Sequence, residues 1–143
     1  MTLKISELTT ARFEEYNCAQ TIFSLFAPEF GLDAGTALKI ASGFGSGMNR
    51  GETCGAVTGA YMVIGLKSGH SASSPEDKAR TRELVEKFNN LFLKEHSSLK
   101  CKELLGYDLS VTCQKQKAGE DGVFRTRCPH FLRTAAKILE ENF

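Results

Sequence analysis

Gly51-Glu52-Thr53-Cys54-Gly55-Ala56-Val57-Thr58-Gly59-Ala60-Tyr61-Met62-Val63-Ile64-Gly65-Leu66-Lys67 is the stretch whose reading decides the fold. From about Glu52 to Lys67 it is apolar nearly all round a helix, with Ala56, Val57, Ala60, Tyr61, Met62, Val63, Ile64 and Leu66 leaving no polar face. A helix of that kind belongs in the interior, surrounded by others, and Gly69 is placed to end it. Gly55 and Gly59 lie four apart on one face, where a second backbone can approach closely at a helical cost of about 1 kcal/mol each. Thr58, Gly59 and Gly65 interrupt the run, which falls short of the roughly 20 apolar residues of a membrane span.

Working outward, the period stays helical. A first helix is expected from about Thr10 to Phe30, with Phe13, Tyr16, Ile22, Phe23 and Phe26 at three- and four-residue steps and Cys18 among them. Pro28 disturbs its end, and Gly31 suits a left-handed C-terminal cap. Asp33 is an N-cap for a second helix through Ala37, Leu38, Ile40 and Ala41, which stops in the glycine-rich stretch 43–51. Downstream, Ser74-Pro75-Glu76-Asp77 opens a helix carrying Leu84, Val85, Phe88, Leu91 and Phe92 on one stripe. A short helix from about Cys101 to Leu105 ends at Gly106, and residues 107–122 read as a long loop. Cys128-Pro129 then opens the last helix, with Phe131, Leu132, Ala135, Ile138 and Leu139 facing inward. No strand alternation and no internal repeat stand out. The expectation is an all-α fold: one domain over 1–143, a bundle of about five to six helices around the apolar helix at about 52–67.

Composition narrows the function classes. The chain has 143 residues, 24% of them charged, and 18 Lys+Arg against 17 Asp+Glu leave a net charge of +1. No electrostatic footprint marks a nucleic-acid binder or an anionic membrane surface, so neither nucleic acid nor membrane insertion is expected. Met1-Thr2-Leu3-Lys4-Ile5-Ser6-Glu7 carries no apolar signal-peptide core, and a cytoplasmic protein is expected.

Five cysteines carry the chemistry: Cys18, Cys54, Cys101, Cys113 and Cys128. There is no C-x-x-C, so zinc-ribbon and ferredoxin spacings are absent, and without C-x-x-C-H covalent haem is excluded. Cys54 lies near the start of the apolar helix, where the positive end of the helix dipole favours a thiolate. The preceding glycines make the loop a candidate cradle: around Gly43, Gly45, Gly47, Gly51 and Gly55, backbone N–H groups can face an anion, a thiolate or a cofactor. A tight turn with a small buried cysteine explains the same residues. Cys128, ahead of Pro129, sits at or near an N-cap with Arg125 and Arg127 just upstream. Cys101 also starts a helix and is flanked by Lys100 and Lys102. Cys18 lies inside the first helix.

Asn17-Cys18-Ala19-Gln20, Ala41 to Met48 leading into Gly51 to Ala60, Cys101 to Gly106 and Arg127-Cys128-Pro129 occur in that order. Together they resemble the family of redox-active proteins named for its cysteine pattern, C–GCAxxG–C–C. The resemblance runs from about residue 12 to 140 and maps the pattern onto Cys18, Cys54, Cys101 and Cys128, leaving Cys113 as an extra. Where the pattern has Gly-Cys-Ala, this chain has Thr53-Cys54-Gly55-Ala56. The resemblance implies redox activity built on those cysteines.

Three readings follow. In a thiol oxidoreductase, two of the four would cycle between dithiol and disulfide, with Cys54 or Cys128 as the low-pKa attacker. In a metal or iron–sulfur protein, Cys18, Cys54, Cys101 and Cys128 would form one Cys₄ cage. In a non-enzymatic binding module, they would line a pocket for a small ligand. The redox partner, the ligand and the oligomeric state stay open. Among other side chains, Tyr61 lies seven residues beyond Cys54 and could donate to a buried thiolate. His130 could reach the same site, while His70 and His96 read as solvated and helix-ending respectively. Asn49 and Arg50 suit capping or an anionic ligand, and Cys113 suits an exposed thiol or a resolving cysteine on a lid.

Overall fold

Helix boundaries in this chain follow capping residues more closely than hydrophobic period. The computed structural model describes residues 3–143. Its eight α-helices are α1 (Ile5–Phe13), α2 (Cys18–Phe26), α3 (Ala34–Ala41), α4 (Gly55–Ser68), α5 (Pro75–Glu95), α6 (Cys101–Leu105), α7 (Thr112–Glu120) and α8 (Val123–Asn142). A one-turn 3-10 segment, Ala27–Phe30, follows α2 and ends at Gly31, left-handed at φ 88° as its sequence position predicts. Among the described residues β pairing is confined to an isolated antiparallel bridge between Thr53 and Lys100. The fold is all-α.

The expected first helix is two helices. Asn17 breaks it: its side chain accepts a hydrogen bond from the Gln20 N–H, while the Gln20 side chain accepts one from the Asn17 N–H. This reciprocal capping box satisfies two N–H groups at the start of α2 and outweighs continuity with α1. Cys18 therefore opens a helix instead of lying within one. Asp33 and Ser74 cap α3 and α5 as expected, accepting from the Thr36 and Asp77 N–H groups.

The C-terminal third needs two corrections. The expected loop at 107–122 contains α7, whose only buried residue is Ala118, so no apolar stripe advertises it. The last helix begins at Val123, not at Cys128-Pro129, after Gly122 turns the chain at φ 72°. Pro129 sits inside α8, where it removes the N–H that would reach the Arg125 carbonyl. Arg125 is exposed, so water can take that bond. Val123, Cys128, Phe131 and Leu132, all buried, hold the helix together across the proline.

The interior is shared by two helices. α4 is buried without a break from Gly55 to Ala60, then emerges, with Tyr61 and Met62 half-buried and Lys67 exposed. It packs against α2, α5 and α8, and α2 in turn contacts α1, α3, α4 and α8. The glycine face of α4 meets α2 closely. A methyl on Gly55 would lie 2.8 Å from Cys18 Cβ and 3.0 Å from the Ala19 nitrogen, and one on Gly59 would lie 2.9 Å from the Ala19 carbonyl oxygen. These glycines press the start of α4 onto the start of α2. Among the described residues no helix is long and apolar enough to cross a membrane.

Candidate functional site

A capping box, a backbone bridge and α8 bring the four cysteines to one place. The Asn17 capping box fixes Cys18 at the first turn of α2. Cys54 is the N-cap of α4, not a residue inside the helix, because Glu52 and Thr53 are drawn into the bridge with Lys100. That pairing is tight: the Cys54 N–H donates to the Leu99 carbonyl at 2.7 Å and the Cys101 N–H to the Glu52 carbonyl at 2.6 Å. It sets Cys54 and Cys101 on neighbouring strands of chain, each at the start of a helix. Cys128 arrives from the second turn of α8. All four line a cavity of about 50 Å³. Cys18, Cys54, Cys101 and Cys128 are 8%, 3%, 7% and 5% exposed, and all five cysteines of the chain are free thiols.

The rest of the wall is mostly hydrocarbon. Leu104, Leu105 and Phe131 lie deep, while the half-buried Phe13, Asn17, Ser46 and Phe124 form the rim. Of the glycines singled out in the sequence, Gly55 lines the cavity, and Gly43, Gly45, Gly47 and Gly51 do not. Two of these have steric duties beside it. A methyl on Gly45 would collide with the Asn17 side chain, and one on Gly47 would lie 2.5 Å from the Glu52 nitrogen and 2.9 Å from Cys101 Cβ. Ser46, Gly47, Met48 and Asn49 all adopt positive φ, between 55° and 60°. One left-handed turn thus carries three non-glycine residues in a conformation that ordinarily costs about 1–2 kcal/mol each. This turn puts Ser46 on the rim of the cavity.

The thiols do not behave alike. Burial pushes the Cys54 thiol up to about 12, even though the Ala56 and Val57 N–H groups at the open helix end pull it down. Burial does the same to Cys101, again to about 12, with the charges of Cys54 and Cys128 adding to it. Cys18 and Cys128 face each other within hydrogen-bonding reach. That contact is the largest influence on both: it holds Cys128 below the usual thiol value and Cys18 well above it. Of the two, Cys128 is the easier to ionise and Cys18 the one that keeps its proton. Cys54 is therefore not the low-pKa attacker that its helix-start position suggests, because desolvation outweighs the dipole. Cys128 is the ionisable thiol, though for a different reason from its expected N-cap and arginines. Arg125 and Arg127 are exposed, and the Arg127 guanidinium donates instead to the Leu104 and Leu105 carbonyls at the end of α6.

Other candidates stand elsewhere. The Tyr61 hydroxyl donates to Asn89 Oδ1, not to a thiol. His130 is exposed and lines a surface groove with His96, away from the cysteine cavity. His96 caps the end of α5, with its ring against Phe92 and Phe131 and its Nε2 2.8 Å from the Thr134 hydroxyl. Asn49 and Arg50 are exposed, as is Cys113 on α7. Among the described residues no three Cys, His, Asp or Glu side chains are grouped so as to hold one metal ion. Sequence reasoning missed the rim residues Phe13, Ser46 and Phe124, which carry no local signal. It also missed the capping role of Asn17, which the N-x-x-Q spacing does signal.

The comparison with family models bears directly on this cavity. The model described as "Putative redox-active protein (C_GCAxxG_C_C)" matches residues 16–142, a span that holds all four cavity cysteines. The chain belongs to that family. No curated protein and no solved structure matches it. The match to the redox-active family starts one residue before the Asn17 cap and ends with α8, so it covers every element that positions a cavity thiol.

Proposed function

We propose that this is a dithiol–disulfide redox protein whose working pair is Cys128 and Cys18. The observation that carries the reading is the facing pair itself, one thiol favoured as the anion and the other as its proton-bearing neighbour. A thiolate is the attacking species in thiol oxidation and exchange, so Cys128 is the nucleophile and Cys18 the resolving residue. In forming a disulfide the pair gives up two electrons and two protons to an acceptor. Cys54 and Cys101 stay protonated at neutral pH, keep the wall uncharged and do not compete as nucleophiles. A cytoplasmic setting, where thiols return to the reduced state between cycles, would suit such a pair.

The test is a redox titration in dithiothreitol buffers, run to equilibrium and read by alkylation and peptide mapping. A single two-electron couple linking Cys18 to Cys128, lost in both Cys18→Ser and Cys128→Ser, is expected. Absence of that disulfide at every potential overturns the reading.

A Cys₄ metal or iron–sulfur site is the second reading, favoured by four sulfurs meeting in one cavity. The thiols would have to shift to form a cage, since they are not grouped as ligands where they stand. Stoichiometric iron or zinc in protein purified without oxygen, lost in the Cys54→Ser variant, would establish it in place of the first.

A further inference from the structure

We infer that the oxidant taken by this site is a small hydroperoxide, with hydrogen peroxide the best fit, and not the disulfide of a protein or of glutathione. The inference rests on Cys128 and Cys18 being the redox pair and adds the class of molecule that reaches them.

Access decides it. Cys128 is 5% exposed and Cys18 8%, so neither sulfur is presented at the surface. Exchange with a disulfide needs the attacked S–S bond to lie in line with the Cys128 sulfur, which brings both sulfurs and their carbon substituents into the cavity. The space is about 50 Å³. On the measure by which one water needs about 10–15 Å³, that is room for about three to five waters. Hydrogen peroxide, with two heavy atoms, fits. A peptide disulfide does not.

The wall suits the same molecule. Asn17 has both ends of its amide committed, accepting from the Gln20 N–H at 2.8 Å and donating to the Ser42 carbonyl at 3.1 Å. The Ser46 hydroxyl is the polar side chain left at the rim to meet an incoming hydroxyl group. Behind it lie four sulfurs, leucine and phenylalanine.

The chemistry balances without a further reactant. The Cys128 thiolate attacks one peroxide oxygen, the S–O bond forms as the O–O bond breaks, and hydroxide leaves. Cys18 then attacks the sulfenic sulfur. The S–S bond forms, the S–O bond breaks, and the second oxygen leaves as hydroxide. The protons of the two thiols convert both hydroxides to water. Two thiols and one hydrogen peroxide give one disulfide and two waters.

Cys113, exposed on α7, is a built-in reference for each reagent's own reactivity. Reduced full-length protein is treated separately with hydrogen peroxide, cumene hydroperoxide and oxidised glutathione, and oxidation at Cys128 and Cys113 is followed by quenched alkylation and peptide mapping. With hydrogen peroxide, Cys128 is expected to react at least tenfold faster than Cys113, with the Cys18–Cys128 disulfide as product. With the two bulky oxidants the order inverts by at least tenfold. Phe124→Ala, which opens the rim, is expected to raise the cumene hydroperoxide rate at Cys128 at least tenfold relative to Cys113. Oxidised glutathione reaching Cys128 as fast as Cys113 overturns the inference, as does hydrogen peroxide showing no preference for Cys128. The wild-type series decides the matter even where the variant fails to fold. If the equilibrium titration yields the Cys18–Cys128 disulfide but the size series fails, only the oxidant class falls; if neither yields that disulfide, the redox pair itself falls.

Discussion

Removing Cys54 changes the alkaline limb of the stability curve by an amount that its environment sets. The thiol moves from a usual value of 9.0 to about 12 on folding, with burial as the first cause. Above pH 9 the unfolded chain releases this proton while the folded chain keeps it. The stabilising contribution is therefore complete below pH 9 and drains away as pH rises toward 12. The slope is half its limiting value of about 1.4 kcal/mol per pH unit at pH 9 itself and approaches the full value above it, so between pH 9 and pH 11 wild type loses about 2 kcal/mol through this one group. A Cys54→Ala variant has no such proton. It starts less stable, having lost a buried sulfur, but its deficit should shrink by that amount.

The assay is urea unfolding followed by far-ultraviolet circular dichroism, in excess phosphine reductant, at pH 8, 9, 10 and 11. Val63→Ala is the control, since Val63 is 3% exposed and its truncation leaves a cavity without removing a titrating group. Wild type and Val63→Ala should lose stability in parallel, while the gap between wild type and Cys54→Ala narrows by about 2 kcal/mol from pH 9 to pH 11. Cys101→Ala should narrow similarly, because its thiol is pushed to the same value. If the Cys54→Ala and Val63→Ala curves are parallel, the account of a desolvated, protonated Cys54 is wrong.

Three further outcomes can be read from simpler measurements. Gly47→Ala should cost at least about 2 kcal/mol in chemical denaturation, since its φ is +60° and the added methyl meets the Glu52 backbone at 2.5 Å. Gly43→Ala, with nothing within 4 Å, should stay within about 0.5 kcal/mol of wild type. Asn17→Ala should cost about 1 kcal/mol, the usual value of an N-cap, and should loosen Cys18, read as faster alkylation of that thiol at neutral pH. Cys113→Ser should leave the Cys18–Cys128 couple unchanged and abolish disulfide-linked dimers on non-reducing gels, because Cys113 is exposed and outside the cavity.

How much of this was legible in the sequence depended on how local each cause is. Asp33, Ser74 and Gly106 act within a few residues, and the helices they bound begin and end where the sequence places them. The close-approach face of Gly55 and Gly59 was also readable, as a 3.6-residue period on one helix. α7 was not, because a helix that buries only Ala118 has no stripe to betray it. The start of α8 was misplaced because Cys128-Pro129 carries a strong N-terminal signature, yet the burial of Val123 and the turn at Gly122 extend the helix past it. The four cysteines were identifiable as a set through the resemblance to the family's cysteine pattern. Their convergence needed the Thr53–Lys100 bridge, a contact between segments 47 positions apart that no periodicity encodes.

Which cysteine is the nucleophile was the least legible point, and the reason is physical. A helix start is a local property, and Cys18, Cys54 and Cys101 all have it. Desolvation is set by everything packed around the group, and here it is the larger effect for Cys54 and Cys101. The one thiol held down, Cys128, has no helix terminus; it has a donor. A single negative charge among four thiols then opposes every further ionisation: the Cys128 charge raises Cys18, Cys54 and Cys101 alike. In the proposed reaction this fixes the order of events. While Cys128 is a thiolate, Cys18 keeps its proton and cannot attack. Once the Cys128 sulfur has bonded to oxygen its charge is gone, the hydrogen bond and the repulsion by which that charge held Cys18 protonated weaken with it, and the resolving thiol is left with burial as the main opposition to ionising beside an electrophilic sulfur.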